Sequence, residues 1–128
     1  KSLNLKLVEI DDGYSVVEMV FDPGIMSNIY NMAHGGAIFA LIDEAFETAS
    51  NSHGTVAVAL NVNITYIASP EPGARLRAEA REVSMTHRTA TYDIQVKEVG
   101  GKLLATCQAL CYRKKERIPF LQSSAQPT

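Results

Sequence analysis

One stretch restricts the possible folds more than any other. Gly36 to Ser50 repeats with helical periodicity, while most of the chain after it alternates like strand. At about 100° per residue, Ile38, Phe39, Leu41, Ile42, Ala45, Phe46 and Ala49 cover a wide apolar arc. Asp43, Glu44 and Glu47 form a narrow polar stripe, with Asp43 at its border. A helix so apolar has to be enclosed. The strands to enclose it follow. Val56 to Ile67 sets Val56, Val58, Leu60, Val62, Ile64 and Tyr66 against Ala57, Ala59, Asn61, Asn63 and Thr65 on the other face. Arg75 to Ser84 and Thr89 to Val99 alternate in the same way. Gly100-Gly101 then signals a hairpin into Leu103 to Arg113. Before the helix, Tyr14 to Phe21 reads as strand and stops at Asp22-Pro23-Gly24. The expected fold class is α+β, a curved antiparallel sheet wrapped around one long central helix.

A chain of 128 residues makes one such domain, expected over residues 1–113, with a polar C-terminal tail over 114–128. Twelve Lys and Arg against fourteen Asp and Glu leave a net charge of −2, which argues against nucleic acid as the partner. No apolar run approaches the ~20 residues of a membrane helix, and no secretory signal is read, so a cytoplasmic location is expected. Cys107 and Cys111 lie four apart within a strand, roughly 13 Å between Cα atoms and beyond disulfide reach. The three histidines are scattered. Reduced thiols and no metal site are therefore expected.

Candidate chemistry gathers just before the helix, in Asn28-Ile-Tyr-Asn-Met-Ala-His34-Gly35-Gly36. Two glycines let a ligand come close to the backbone, and the first-turn N–H groups have no partner within the helix. Together with the helix dipole they suit an anion or a developing oxyanion. Asp43 is the second candidate, because a carboxylate at the border of an apolar helix is costly to bury without a partner or a use. Eight residues of rise place it roughly 12 Å from Gly35, whereas both groups must come within about 3 Å of the reacting atoms. If the two cooperate, they come from two antiparallel copies of the helix in a two-fold dimer.

The run His34-Gly35-Gly36-Ala-Ile-Phe39-Ala-Leu41-Ile-Asp43-Glu-Ala45 resembles the signature of hotdog-fold acyl-CoA thioesterases, in particular the phenylacetyl-CoA thioesterases of phenylacetate pathways. Asn63-Ile-Thr-Tyr-Ile-Ala-Ser-Pro70 and Thr91-Tyr-Asp-Ile-Gln-Val96 are similar to strands of the same family. The resemblance implies hydrolysis of an acyl- or aryl-CoA thioester without a cofactor, CoA being part of the substrate. It implies that Asp43 is the catalytic carboxylate, as general base or as nucleophile. Gly35 would polarise the thioester oxygen through its N–H, with Gly36 beside it against the substrate. His34 would order the loop, and Asn28 would position the attacking water. It also implies a homodimer with shared sites, paired into a homotetramer in many members.

One departure concerns a Ser or Thr hydroxyl that some relatives carry after the helix. The matching position here is Ala59, and Asn61 is the nearest polar side chain read on the same face. Either Asn61 substitutes or the hydroxyl is dispensable. Arg88 and Thr89, in the basic loop Ser84 to Thr89, are candidates for the CoA phosphates, as are Arg113, Lys114 and Lys115 at the end of the last strand. Glu47, one turn beyond Asp43, ranks below it. The alternative function is a non-catalytic acyl-CoA binding module. A dehydratase is a third reading, but it lacks a matching His-and-acid pair.

Overall fold

The computed structural model describes residues 5–21 and 33–117, with side chains within 5–21 and 35–114. In chain order these residues form β1 (Lys6–Asp11), β2 (Tyr14–Val20), α1 (Ala33–Ser50), β3 (Thr55–Tyr66), β4 (Arg75–Met85), β5 (Thr89–Glu98) and β6 (Leu103–Arg117). The six strands make one sheet in the order β1-β2-β4-β5-β6-β3, and every neighbouring pair is antiparallel. The curved sheet with one long helix expected from the periodicities is the fold the chain adopts.

Helix α1 buries Ile38, Leu41, Ile42, Ala45, Phe46 and Ala49. It lies mainly on β2, β4 and β5 and touches β3 and β6 far less. Under it, β4 presents Leu76, Ala78 and Ala80, and β5 presents Tyr92, Ile94 and Val96, all without solvent exposure. The small alanines leave room for the helix to sit close to the sheet. Two directional contacts fix its rotation. The buried Ser15 hydroxyl of β2 donates to the Ala45 carbonyl at 2.7 Å, and Phe46 meets Tyr92 edge to face with ring centroids 5.7 Å apart.

The helix departs from expectation in two respects. It begins at Ala33 rather than near Gly36, which draws both glycines into its first turn. Phe39 is not part of the buried arc but is 48% exposed. It shares an outward stripe with Asp43 and Glu47 at four-residue spacing, both also exposed.

The strands differ as well. β1 is absent from the sequence reading because its six residues, Lys-Leu-Val-Glu-Ile-Asp, are all exposed and carry no alternation of buried and open positions. It is an edge strand held to β2 by backbone pairing. β6 runs four residues past Arg113, and Arg117 pairs with Thr55, so the ladder with β3 extends to the end of β6. β3 contains a bulge. Ala59 pairs with Cys111 while Asn61 pairs with Leu110, leaving Leu60 unmatched. The bulge exchanges the faces midway along the strand. Ala57, Ala59, Val62, Ile64 and Tyr66 share the helix side, and Val58, Asn61, Asn63 and Thr65 the outer side. The single-face reading of Val56 to Tyr66 fails for that reason.

At the end of the fold where α1 stops, the connecting loop is tied to the sheet. Gly13, in the β1–β2 turn, has φ 68°, and a Cβ there would stand 2.8 Å from the Glu82 Cβ, so only glycine fits without displacement. Its N–H donates to the Ser52 hydroxyl at 2.7 Å, and its carbonyl accepts from the Glu82 N–H at 2.8 Å. Glu82 Oε1 also meets His53 Nε2 at 2.8 Å and accepts from the Tyr92 hydroxyl at 2.8 Å. Burial pushes the Glu82 carboxyl up, but the bonds from His53 and Tyr92 outweigh it and hold the group below the usual glutamate range. Cys107 and Cys111 are free and buried in the core. Burial pushes the Cys107 thiol up to about 11, with the Asp93 charge adding to it.

Candidate active site

Among the described residues, the N-terminal turn of α1 is open on one side. Gly35 is half-buried and Gly36 exposed. A Cβ at either would meet nothing within 4 Å among the described residues, so packing within the chain does not require glycine there. The absent side chains leave free space beside first-turn N–H groups that have no acceptor within the helix. Beside them is a groove of about 240 Å³, lined by Gly35, Ile38, Tyr66, Ile67, Ala68 and Ser69. Its far wall is the end of β3, held by Ile67 and Ala68 N–H donating to the Leu104 carbonyl at 2.8 and 3.2 Å. A glycine backbone, a helix N-terminus and an apolar wall together suit an acyl carbonyl whose oxygen gains negative charge.

Asp43 stands two turns further along, on the exposed stripe, with no hydrogen bond or ion pair among the described residues. A rise of about 1.5 Å per residue puts it roughly 12 Å from Gly35 along the axis. One chain therefore does not bring the Asp43 carboxylate and the Gly35 N–H to the same atom. Glu47 lies one turn beyond on the same stripe. Burial first, then the charges of Glu44 and Asp43, push its carboxyl above the usual range.

The basic loop joins the C-terminal end of β6. Arg88 Nη1 is 3.4 Å from the Tyr112 hydroxyl, and its N–H donates to Thr86 Oγ1 at 3.2 Å. Thr89 shares a hydroxyl contact with Thr86 at 2.9 Å. Arg113 donates to the Thr86 carbonyl at 3.0 Å and the His87 carbonyl at 3.4 Å. Thr55, His87, Arg113 and Lys114 line a groove of about 320 Å³. These cations lie at the end of the fold where α1 stops and β3 starts, the opposite end from Gly35.

The expected residues thus divide into separate groups. Gly35 and Gly36 share the open helix terminus, Asp43 occupies the exposed stripe, and Arg88 and Thr89 lie at the far basic end. Asn61 is on the outer face of the sheet, where it accepts from Asn63 Nδ2 at 2.8 Å, and not on the face of Ala59. The β3 bulge is the cause. Asn28 and the His34 side chain lie outside the described residues. Tyr66 to Ser69, the groove's far wall, were not singled out beforehand as site residues. Nothing local marks them, since their role comes from the helix crossing above.

Residues 30–105 match the family model of the Thioesterase superfamily. A protein of Archaeoglobus fulgidus named "Putative esterase" is 44% identical over 91% of this chain and 75% of its own length. The acyl-coenzyme A thioesterase PaaI of Escherichia coli is 31% identical over 88% of this chain and 80% of its own. The solved structure of E. coli PaaI, from the phenylacetic acid degradation operon, superposes with a TM-score of 0.83, covering 91% of this chain and 84% of that one. The smu.793 protein of Streptococcus mutans, solved bound to acetyl CoA, is 28% identical with a TM-score of 0.80, covering 90% of this chain and 92% of its own.

Proposed function

Because the chain belongs to the Thioesterase superfamily, as a hotdog-fold member similar to PaaI, we propose that it hydrolyses acyl- or aryl-CoA thioesters in a homodimer with shared sites. One observation carries the mechanism. Among the described residues, a single helix presents an open, glycine-floored N-terminus and, roughly 12 Å on, a carboxylate without a partner on an exposed stripe. Two antiparallel copies bring Asp43 of one chain to Gly35 of the other, twice over.

In each site the Gly35 N–H and the helix terminus stabilise the thioester oxygen as it becomes an oxyanion. Asp43 of the other chain takes a proton from water as the water attacks the carbonyl carbon. Collapse of the tetrahedral intermediate breaks the C–S bond, and the thiolate of CoA leaves and takes up that proton. The same carboxylate can instead attack the carbonyl and expel the CoA thiolate, forming an anhydride that water opens to the free acid and Asp43. Single-turnover hydrolysis in heavy-oxygen water separates the two routes, because only the second labels Asp43. Asn28 and His34 are assigned to positioning the water and ordering the loop, on the family pattern alone. Neither route calls for a metal or redox group.

The free edge of β3 supports the dimer. Among the described residues it pairs with β6 on one side only, and Leu60 is 57% and Tyr66 51% exposed. An open apolar edge is a template for pairing with another strand. Antiparallel pairing of two β3 edges would set the Thr55 end of one chain beside the Tyr66 end of the other. The cations around Arg88 and Arg113, with Thr89, then come to the glycine site from the chain that supplies Asp43, where CoA phosphates can reach them. Pairing of dimers into a tetramer and residence in the cytoplasm complete the reading.

The test is thiol release over a panel of acyl- and aryl-CoA thioesters, with wild type and Asp43→Ala side by side. Turnover in the wild type that Asp43→Ala loses while remaining a folded dimer is the expected result. Binding without thiol release would make this a non-catalytic acyl-CoA module, and full activity of Asp43→Ala would remove the carboxylate from the mechanism.

A further inference from the structure

The exposed stripe of α1 contains one apolar residue, and the reaction does not use it. Phe39 lies four residues before Asp43 on the same face and is 48% exposed, although it is among the largest apolar side chains of the helix. Phe46, the other phenylalanine of α1, is buried against Tyr92.

We propose that the two-fold axis of the dimer passes between the two copies of Phe39, whose rings close the acyl end of both sites. The inference rests on the shared-site reading and specifies it further. If Asp43 of one antiparallel helix is level with Gly35 of the other, the level midway between residues 35 and 43 faces itself. That residue is Phe39, and its side chain points out along the stripe that carries Asp43. Each reacting carbonyl then lies about 6 Å along the helix from the axis, and the two carbonyls lie about 12 Å apart.

The cations set the direction of the substrate. Arg88, Arg113 and Lys114 lie beyond the C-terminal end of α1, so the CoA arm runs from the carbonyl past Asp43 toward that end. The acyl group takes the opposite direction, toward the axis. It has about 6 Å before it meets the Phe39 pair, space for an aromatic ring or a short chain. A ring there offers an edge or a face to an aryl group and blocks a long alkyl chain.

Phe39→Cys tests the axis. A residue on a two-fold axis is its own neighbour, so mild oxidation should link more than half of the chains into covalent dimers. Wild type should give none, since Cys107 and Cys111 are buried. Copies of Glu47→Cys would stand about 24 Å apart along the helices and should also give none. Phe39→Cys that sediments as a dimer without cross-linking, or cross-linking of Glu47→Cys instead, overturns the axis. Phe39 is half exposed in the single chain, so its replacement leaves the core intact.

Phe39→Ala tests the pocket. The ratio of kcat/KM for dodecanoyl-CoA to that for phenylacetyl-CoA should rise at least tenfold over wild type, and an unchanged ratio overturns the acyl-end role. Cross-linking needs no turnover. A chain that cross-links at position 39 but hydrolyses no thioester would refute the proposed function and leave the axis standing.

Discussion

The hydroxyl of Tyr92 donates to Glu82 Oε1 at 2.8 Å from a ring with no solvent exposure. The same oxygen meets His53 Nε2, so Glu82 joins β4, β5 and the loop after α1 in one contact. Tyr92→Phe keeps the packing against Phe46 and removes one donor from a partly buried carboxylate. Stability should fall by about 1.5–3 kcal/mol, the usual range for a hydrogen bond to a charged group. Urea unfolding at neutral pH measures it, and an unchanged midpoint would show the bond to be energetically silent.

Acid should act through the same group. Glu82 is held below the ordinary glutamate value by its donors, against the opposing pull of burial. A depressed carboxyl stabilises the fold fully above its unfolded value, near 4.3, and loses that contribution as pH falls through the lower folded value. Wild type should therefore melt well above Glu82→Gln at neutral pH, and the gap should shrink steadily below about pH 4.3. A gap independent of pH would assign the difference to packing.

How much of this was legible in the sequence depends on where side-chain burial decides the structure. α1, β4 and β5 alternate because one face of each is dry, and their limits were readable to within a few residues. β1 is a strand by backbone pairing alone, and a chain read in isolation carries no sign of its ladder partner. The β3 bulge is invisible for a similar reason. Leu60 fits the alternation, and only the register against Cys111 and Leu110 shows that it is the extra residue. For the proposed site, residue type and spacing mark Gly35 and Asp43 as candidates. Phe39 looked like core because it is apolar, and only its exposure in the fold separates it from Ile38.

Mixed dimers should reveal sharing of the site. Asp43→Ala removes the carboxylate, and Gly35→Pro removes the N–H at a first-turn position where proline is tolerated. Each variant alone should lose at least about a hundredfold in kcat. Mixed and reassembled, they should regain activity, because the dimer of one with the other keeps one unaltered site. Assembly of mixed dimers without any regain would place both groups in one chain.

Cations at the basic end should affect CoA and not the acyl group. Arg88→Ala should raise KM for a CoA thioester by about tenfold, as expected for one lost charge-assisted bond. It should leave KM for the matching N-acetylcysteamine thioester, which lacks the nucleotide, where it was. Equal effects on both substrates would mean that Arg88 acts through the fold of its loop.

Gly35 and Asp43 share one unbroken helix, and that has a consequence for how activity depends on supply. On the proposed shared-site reading, a newly made chain holds two half-sites and no complete one. Folding would then produce the parts, and only encounter between folded chains would produce the catalyst. Dilution should then silence the protein without unfolding it. At concentrations well below the dimer dissociation constant, turnover would grow with the square of the chain concentration, so a cell making little of it would hold folded chains that leave its thioesters untouched.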